Sequence, residues 1–98
     1  MTDKFWGIMG ICRRAGKLFI GHDDVKAALR GKKVSLVIFT SDASERLKEE
    51  ITNLSGNIRC IQTDCGRDEA LFRIGKGAAV FAVGDEGLAK SALAAAQD

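Results

Sequence analysis

Two short segments of the chain are almost continuously apolar. They are VSLVIFT at 34–40, which is also rich in β-branched residues, and AAVFAV at 78–83. A strand with one face in water alternates apolar and polar residues, whereas a continuous apolar strand is typical of a sheet covered on both faces. The sequence therefore predicts two buried strands with helices packed on both sides of them.

Helical patterns separate the predicted strands along the chain. Apolar residues recur at helical spacing from Phe5 to Cys12, the strand LFI at 18–20 is closed by Gly21, and a helix follows as far as Gly31. IRCIQ at 58–62 reads as a strand, and 68–74 and 85–96 read as helices. This alternation is typical of a single α/β domain over 1–98, a three-layer α/β/α sandwich with a four-stranded mixed sheet.

One further helix is predicted after the first buried strand. Asp42, followed three residues later by Glu45, resembles a capping box, in which a side chain at the helix start accepts hydrogen bonds from free backbone N–H groups. Leu47, Ile51 and Leu54 then supply the apolar face of the helix. We therefore expect Asp42 to cap this helix.

Positive charge is concentrated in the first third of the chain. Residues 1–33 carry eight Lys or Arg against three acids, a net charge of +5, whereas residues 34–98 carry seven against ten, a net charge of −3. This distribution favours a polyanion partner at the basic end. It is also typical of a solvated helix face, so charge alone does not decide between the two.

The sequence lacks the patterns of cofactor, metal and membrane proteins. GKG at 75–77 misses the third glycine of a dinucleotide loop and precedes a strand. Cys12, Cys60 and Cys65 form no C-x-x-C pair, which indicates neither zinc nor disulfides, and no apolar run approaches the roughly 20 residues that span a bilayer. We predict a cytoplasmic, non-enzymatic protein with no cofactor, metal, small-molecule substrate or membrane partner.

Polar residues cluster where predicted strands give way to helices, at 21–24, 40–44 and 63–68. Asp23 and Asp24, after Gly21, could simply cap the helix and complement its dipole. Alternatively, the helix start could bind a phosphate while its polar side chains address base edges. A catalytic role is disfavoured, because His22, Asp23 and Asp24 are consecutive and would point roughly 100° apart on a helix.

Four segments carry a resemblance to a known family. RAGKLFIG, VSLVIFTSDAS, IGKGAAVFAV and DEGLAK together resemble the kink-turn RNA-binding superfamily of the archaeal ribosomal protein L-seven-Ae, and most closely its small bacterial YlxQ-like branch. The likeness covers nearly the whole chain. It implies the same α/β/α sandwich and a non-catalytic role in binding RNA.

The helix after the first strand opens as G-x-N-E-x-x-K in that family. Counted from Gly21, Asp23 takes the Asn position, Asp24 the Glu position and Ala27 the Lys position. The family's Glu accepts hydrogen bonds from guanine in tandem G·A pairs, so the resemblance implies this role for Asp24, with roughly 1.5 Å less reach. Lys26 is turned roughly 100° from the Lys position and is expected to serve a neighbouring phosphate.

The second element of the family's site is the loop before the last strand, which maps to 74–78. We therefore predict a protein that binds structured RNA, kink-turn-like or ribosomal. The alternative is a protein-interaction module on the same fold that has lost kink-turn recognition; Ala27 and the two aspartates favour it, whereas the basic first third favours RNA. The expected RNA-binding residues are Lys17, Gly21, His22, Asp23, Asp24, Lys26, Ala27, Arg30, Lys32, Lys33, Arg73, Ile74, Gly75, Lys76, Gly77 and Ala78.

Overall fold

The computed structural model describes residues 1–97, which form five helices and four strands. The helices are α1 (Asp3–Arg14), α2 (His22–Arg30), α3 (Glu45–Ser55), α4 (Arg67–Ile74) and α5 (Glu86–Ala96). The strands are β1 (Leu18–Ile20), β2 (Leu36–Phe39), β3 (Arg59–Gln62) and β4 (Val80–Val83). Helices and strands alternate in the predicted order.

The four strands form one mixed sheet in the order β1-β4-β2-β3. β2 pairs with β3 in parallel, while β4 runs antiparallel to both β1 and β2. All four residues of β2 and of β4 are buried, as their apolar sequences predict. The predicted four-stranded mixed sheet is confirmed.

Each face of the sheet carries its own apolar core. Side chains alternate between the faces of a strand, so Leu36 and Ile38 of β2 pack with residues of α1, α4 and α5. Val37 and Phe39 point the other way and pack with residues of α2 and α3. The predicted three-layer arrangement, with helices on both sides of the sheet, is confirmed.

The predicted cap of α3 is wrong, because Asp42 has other partners. Ser44 is the N-cap, and its hydroxyl oxygen accepts from the backbone N–H of Leu47 at 3.1 Å. The carboxylate of Asp42 accepts from the hydroxyl of Thr40 at 2.6 Å and from the backbone N–H of Arg67 at 3.2 Å. These bonds, that from Thr40 first, lower the pKa of Asp42. Asp42 thus ties the end of β2 to the start of α4.

Two smaller predictions also differ from the structure. Leu54 was assigned to the apolar face of α3 but is 40% exposed, since the buried face instead combines Ile51 with Ser55, one turn later. The hydroxyl of Ser55 donates to the carbonyl of Ile51 at 2.7 Å, which satisfies its polar group in the core. The strand predicted at 34–40 is limited to Leu36–Phe39, although Val34 and Thr40 beside it are buried as well.

Candidate nucleic-acid interface

All three strand-to-helix junctions singled out in the sequence meet at one end of the sheet. β1, β2 and β3 run in the same direction, and β4 starts where they end. The backbone N–H of Gly21 donates to the carbonyl of Val80, and that of Thr40 to the carbonyl of Ala79, each at 2.9 Å. The start of α2 and the segment before β4 are therefore neighbours, as the predicted site requires.

Gly21 gives the start of α2 an unusual backbone. It is the N-cap with φ 100° and ψ 161°, and no side chain caps the helix. A φ of this kind favours glycine, because a Cβ would be strained there. Asp23 and Asp24 lie in the first turn and are exposed, so they complement the helix dipole without making the cap hydrogen bond that the simpler interpretation expects.

Asp24 and Ala27 share one side of α2. Together with Phe19 of β1 and Lys33, they line a shallow hollow of about 250 Å³ beside the edge strand. Their spacing of three residues places them on the same helix face. The Glu and Lys positions of the family pattern thus remain adjacent in space, although a carboxylate and a methyl group occupy them.

His22 and Lys26 face α3 instead. Nε2 of His22 is hydrogen-bonded to Oε1 of Glu50, and Nζ of Lys26 lies 3.7 Å from the same oxygen. The bond from His22, and then the charge of Lys26, lower the pKa of Glu50. The structure therefore separates these two predicted RNA-binding residues from the side of α2 that carries Asp24 and Ala27.

The segment 74–78 contains one buried and several exposed residues. Ile74 is only 3% exposed and anchors the segment in the core, while Ala78 is half-buried. Gly75 is left-handed at φ 80° and ends α4 by donating its N–H to the carbonyl of Leu71 at 2.9 Å. Lys76 and Gly77 are exposed, so this short loop offers a cation on a glycine-rich backbone.

Arg13 is a neighbour of this loop that sequence reasoning missed. A Cβ placed on Gly75 would lie 2.5 Å from Nη1 of Arg13, so the guanidinium rests directly against the glycine. Arg13 stands in the last turn of α1, where a basic residue also suits the helix dipole. The helix dipole alone is enough to explain a basic residue at this position, so the sequence gives no sign that Arg13 lies beside the loop. That position depends on how α1 and α4 pack.

Arg73 is held by two carboxylates. Its Nη2 lies 3.0 Å from Asp3 of α1 and its Nε 3.0 Å from Glu69, one turn earlier in α4. The bond to Glu69, and then that to Asp3, raise its pKa. This predicted RNA-binding residue joins two helices, and an RNA phosphate would have to compete with both acids for it.

Four predicted basic residues lie at the opposite end of the sheet from Gly21. Lys17 precedes β1, and its carbonyl accepts from the N–H of Gly84, just after β4, at 2.8 Å. Arg30 closes α2, and Lys32 and Lys33 follow it. Within residues 1–97, none of the four lies within 4.0 Å of an acidic oxygen. These four residues form a basic surface at this end of the sheet, called the basic end below.

A groove connects this basic end to Asp24. One hollow of about 430 Å³ is lined by Lys17, Phe19 and Lys33 with the neighbouring glycines Gly16 and Gly84. Phe19 and Lys33 also line the hollow that contains Asp24 and Ala27. The two hollows are therefore adjacent, and together they follow the edge strand β1 and helix α2.

The described part of the chain holds neither a cluster of metal ligands nor a membrane-spanning helix. Among residues 1–97, no three His, Cys, Asp or Glu side chains are grouped so that they could hold a metal ion. No helix in that range is both long and apolar enough to cross a membrane. The three cysteines are free thiols, and burial raises the pKa of Cys12 and Cys65.

Comparison with known proteins identifies the family. The chain is 33% identical over 90 residues to a protein of Enterococcus faecium named RNA-binding protein YlxQ, covering 90% of this chain and 86% of that protein. The chain belongs to the YlxQ-like family. The resemblance found in the sequence is thereby confirmed, although no protein-family model matches the chain.

Two solved structures have the same fold as this chain. A protein of unknown function from Bacillus halodurans superimposes with a TM-score of 0.88 at 27% identity, covering 99% of this chain and all of that one. The Giardia lamblia 15.5 kD RNA binding protein superimposes with a TM-score of 0.73 at 10% identity, covering 96% and 85%. At that identity the second likeness establishes only the fold.

Proposed function

We propose that this chain is an RNA-binding protein that recognises structured RNA of the kink-turn type, ribosomal RNA included. One observation carries the proposal: the Gly21 N–H donates to the carbonyl of Val80, the first residue of β4, which brings the start of α2 close to the chain that follows the segment 74–78. The family resemblance assigns these two elements to RNA. The name of the Enterococcus relative supports RNA as the ligand.

Asp24 is the proposed acceptor for a guanine edge. Its carboxylate is exposed, stands in the first turn of α2 and lines the hollow beside β1. A carboxylate accepts from base amino and imino groups, and the free N–H groups of the helix start favour nearby phosphate. Asp23, whose side chain is fully exposed, adds repulsion toward phosphate.

The basic residues would provide most of the affinity. Lys76 and Arg13 stand by the loop, whereas Lys17, Arg30, Lys32 and Lys33 lie at the end of the sheet where α2 ends. A nine-residue helix is roughly 14 Å long, so RNA that reaches both groups must follow α2. We therefore expect a helical stem along the groove, with phosphate contacts at its far end.

A protein-interaction module remains the alternative. It is favoured by Asp23 and Asp24 and by Ala27 at the family's Lys position. It is also favoured by the contacts of His22, Lys26 and Arg73 with carboxylates of the protein itself. The two exposed carboxylates make this part of the surface less attractive to RNA. In either case we propose a non-catalytic, cytoplasmic role.

The test is binding to three RNAs: a kink-turn, the same RNA with its tandem G·A pairs replaced by Watson–Crick pairs, and a plain duplex of equal length. Tighter binding to the intact kink-turn supports specific recognition. Equal binding to all three indicates a charge-driven contact with any duplex. No binding to any of them, at low salt, would leave the protein-interaction role as the better account.

A further inference from the structure

Phe72 on α4 is the most exposed large apolar side chain among residues 1–97. It is 82% exposed, and Leu71 beside it is 52% exposed. α4 buries Ala70 and Ile74, and Phe72, two residues after Ala70, is turned roughly 200° away from that buried side. The ring therefore stands on the solvent face of the helix, where it contributes nothing to the core.

The surroundings of Phe72 connect it to the proposed RNA surface. Gly75, which touches the guanidinium of Arg13, comes one helical turn after Phe72. A Cβ placed on Gly77 would lie 3.6 Å from the Cβ of Leu71, so the loop folds back along α4. Phe72 thus stands one helical turn before the segment 74–78, whose first glycine contacts a cation.

Two acidic residues of α4, Asp68 and Glu69, stand one turn before Phe72. Glu69 is paired with Arg73 at 3.0 Å. Asp68 is exposed. A free carboxylate at this point repels phosphate but can accept hydrogen bonds from base amino groups. It therefore favours a nucleic-acid base, and not the phosphate backbone, beside the ring.

We propose that Phe72 is a stacking platform for an unpaired base of the RNA that binds the adjoining surface. This inference rests on the proposed function. Single-stranded bases are commonly held on exposed aromatic rings, and one ring matches the size of one base. A protein partner fits less well, because two apolar side chains offer a few hundred Å² at most, whereas a stable protein interface needs about 800 Å² on each side.

The test compares Phe72→Ala, Phe72→Leu and Phe72→Trp in binding to two stems: a kink-turn with a single-stranded extension and the same stem with blunt ends. Leu54→Ala is the matched control, because Leu54 is an exposed apolar residue on the other side of the sheet. Phe72→Ala and Phe72→Leu should both weaken binding of the extended stem by about fivefold or more, and Phe72→Trp should retain it. The blunt stem should bind all variants alike.

The outcomes separate this inference from the proposed function. If the unaltered protein binds neither stem, the proposed function fails and Phe72 loses its role with it. If the unaltered protein binds the extended stem and Phe72→Ala binds it equally well, only the stacking site is wrong. A Phe72→Leu variant that behaves like the unaltered protein, while Phe72→Ala loses self-association in a sizing column, would assign the ring to protein contact instead.

Discussion

The guanidinium of Arg13 occupies the space where Gly75 would carry a side chain. A Cβ on Gly75 would meet Nη1 of Arg13 at 2.5 Å, and the glycine itself is left-handed at φ 80°. This pair joins the end of α1 to the loop before β4. It makes the loop depend on a residue that lies more than sixty positions earlier in the sequence.

Gly75→Ala should therefore lower both stability and RNA affinity. The left-handed conformation costs a residue with a Cβ about 1–2 kcal/mol, and the new methyl group displaces Arg13, whose flexible end moves readily. Urea denaturation measures the first effect and RNA titration the second. Gly7→Ala is the control: Gly7 lies inside α1 with nothing within 4 Å of its Cβ position, so that change should stabilise the protein by roughly 0.5–1 kcal/mol.

Ala27→Lys should strengthen binding to a kink-turn more than binding to a plain duplex. Ala27 is exposed and shares its helix face with Asp24, so a lysine there offsets a carboxylate and restores the cation of the family pattern. Ala94→Lys, which adds the same charge on an exposed position of α5, should raise affinity less and without preference. If both variants gain the same affinity for the kink-turn, the effect comes from net charge and not from the position of the lysine.

Asp24→Ala tests whether the Asp24 carboxylate recognises a base of the RNA. If the Asp24 carboxylate accepts from guanine, its removal should weaken kink-turn binding selectively, by about 1–3 kcal/mol for a well-formed base contact. Improved binding of every RNA would mean that Asp24 only repels phosphate. Competition between the intact and the G·A-substituted kink-turn gives the answer directly.

Lys32→Ala combined with Lys33→Ala should reduce the salt dependence of RNA binding. Each phosphate contact contributes about 0.7–0.9 of a log unit of affinity per log unit of salt, and these lysines lack acidic partners within residues 1–97. The control is Arg59→Ala with Lys90→Ala, which removes the same charge from β3 and α5. An unchanged slope would place the RNA on another face, and an equal fall in both variants would mean that only net charge matters.

Glu50→Gln should make folding less sensitive to acid. The folded pKa of Glu50 lies below its ordinary value of 4.5, so its contribution to stability is complete above that value and disappears as the pH falls through the folded pKa. The variant should be less stable than the unaltered protein at pH 7, and the difference should shrink at pH 3. Glu49→Gln, which removes the same charge from an exposed neighbour, is the control in urea denaturation.

The same substitution has a consequence for RNA. Glu50→Gln releases His22 and Lys26 from a shared carboxylate, which leaves Lys26 free to reach a phosphate. Affinity should therefore rise for every RNA of the panel. Unchanged affinity would show that Lys26 stays directed at α3 even without the charge of Glu50.

The alternation of elements was predictable because each element has a local signature. The apolar runs at 34–40 and 78–83 require cover on both faces, and the polar junctions after parallel strands meet at one end of a sheet. Helical spacing alone also places Asp24 and Ala27, three residues apart, on one face of the helix. These inferences need only neighbours in sequence.

The remaining features depend on contacts between distant elements. The position of Arg13 against Gly75, the capture of Lys26 by Glu50 and the bond from Arg67 to Asp42 all join separate helices or loops. Nothing in the local pattern around Asp42 distinguishes a helix cap from a carboxylate that reaches a second helix. Lys17 and Lys33 are close to Gly21 in the sequence but lie at the opposite end of the sheet from it. Their position follows from the directions in which β1 and α2 run.

The position of β4 between β1 and β2 also has a consequence for the order of events during synthesis. The first two strands do not pair with each other, and each borders β4, the last of these four strands in the sequence. While the ribosome has released only the first half of the chain, β1 has no partner strand and Gly21 has no Val80 to bind. The RNA surface proposed for this protein therefore comes into existence only after β4 emerges, so that a nascent chain cannot engage its ligand early.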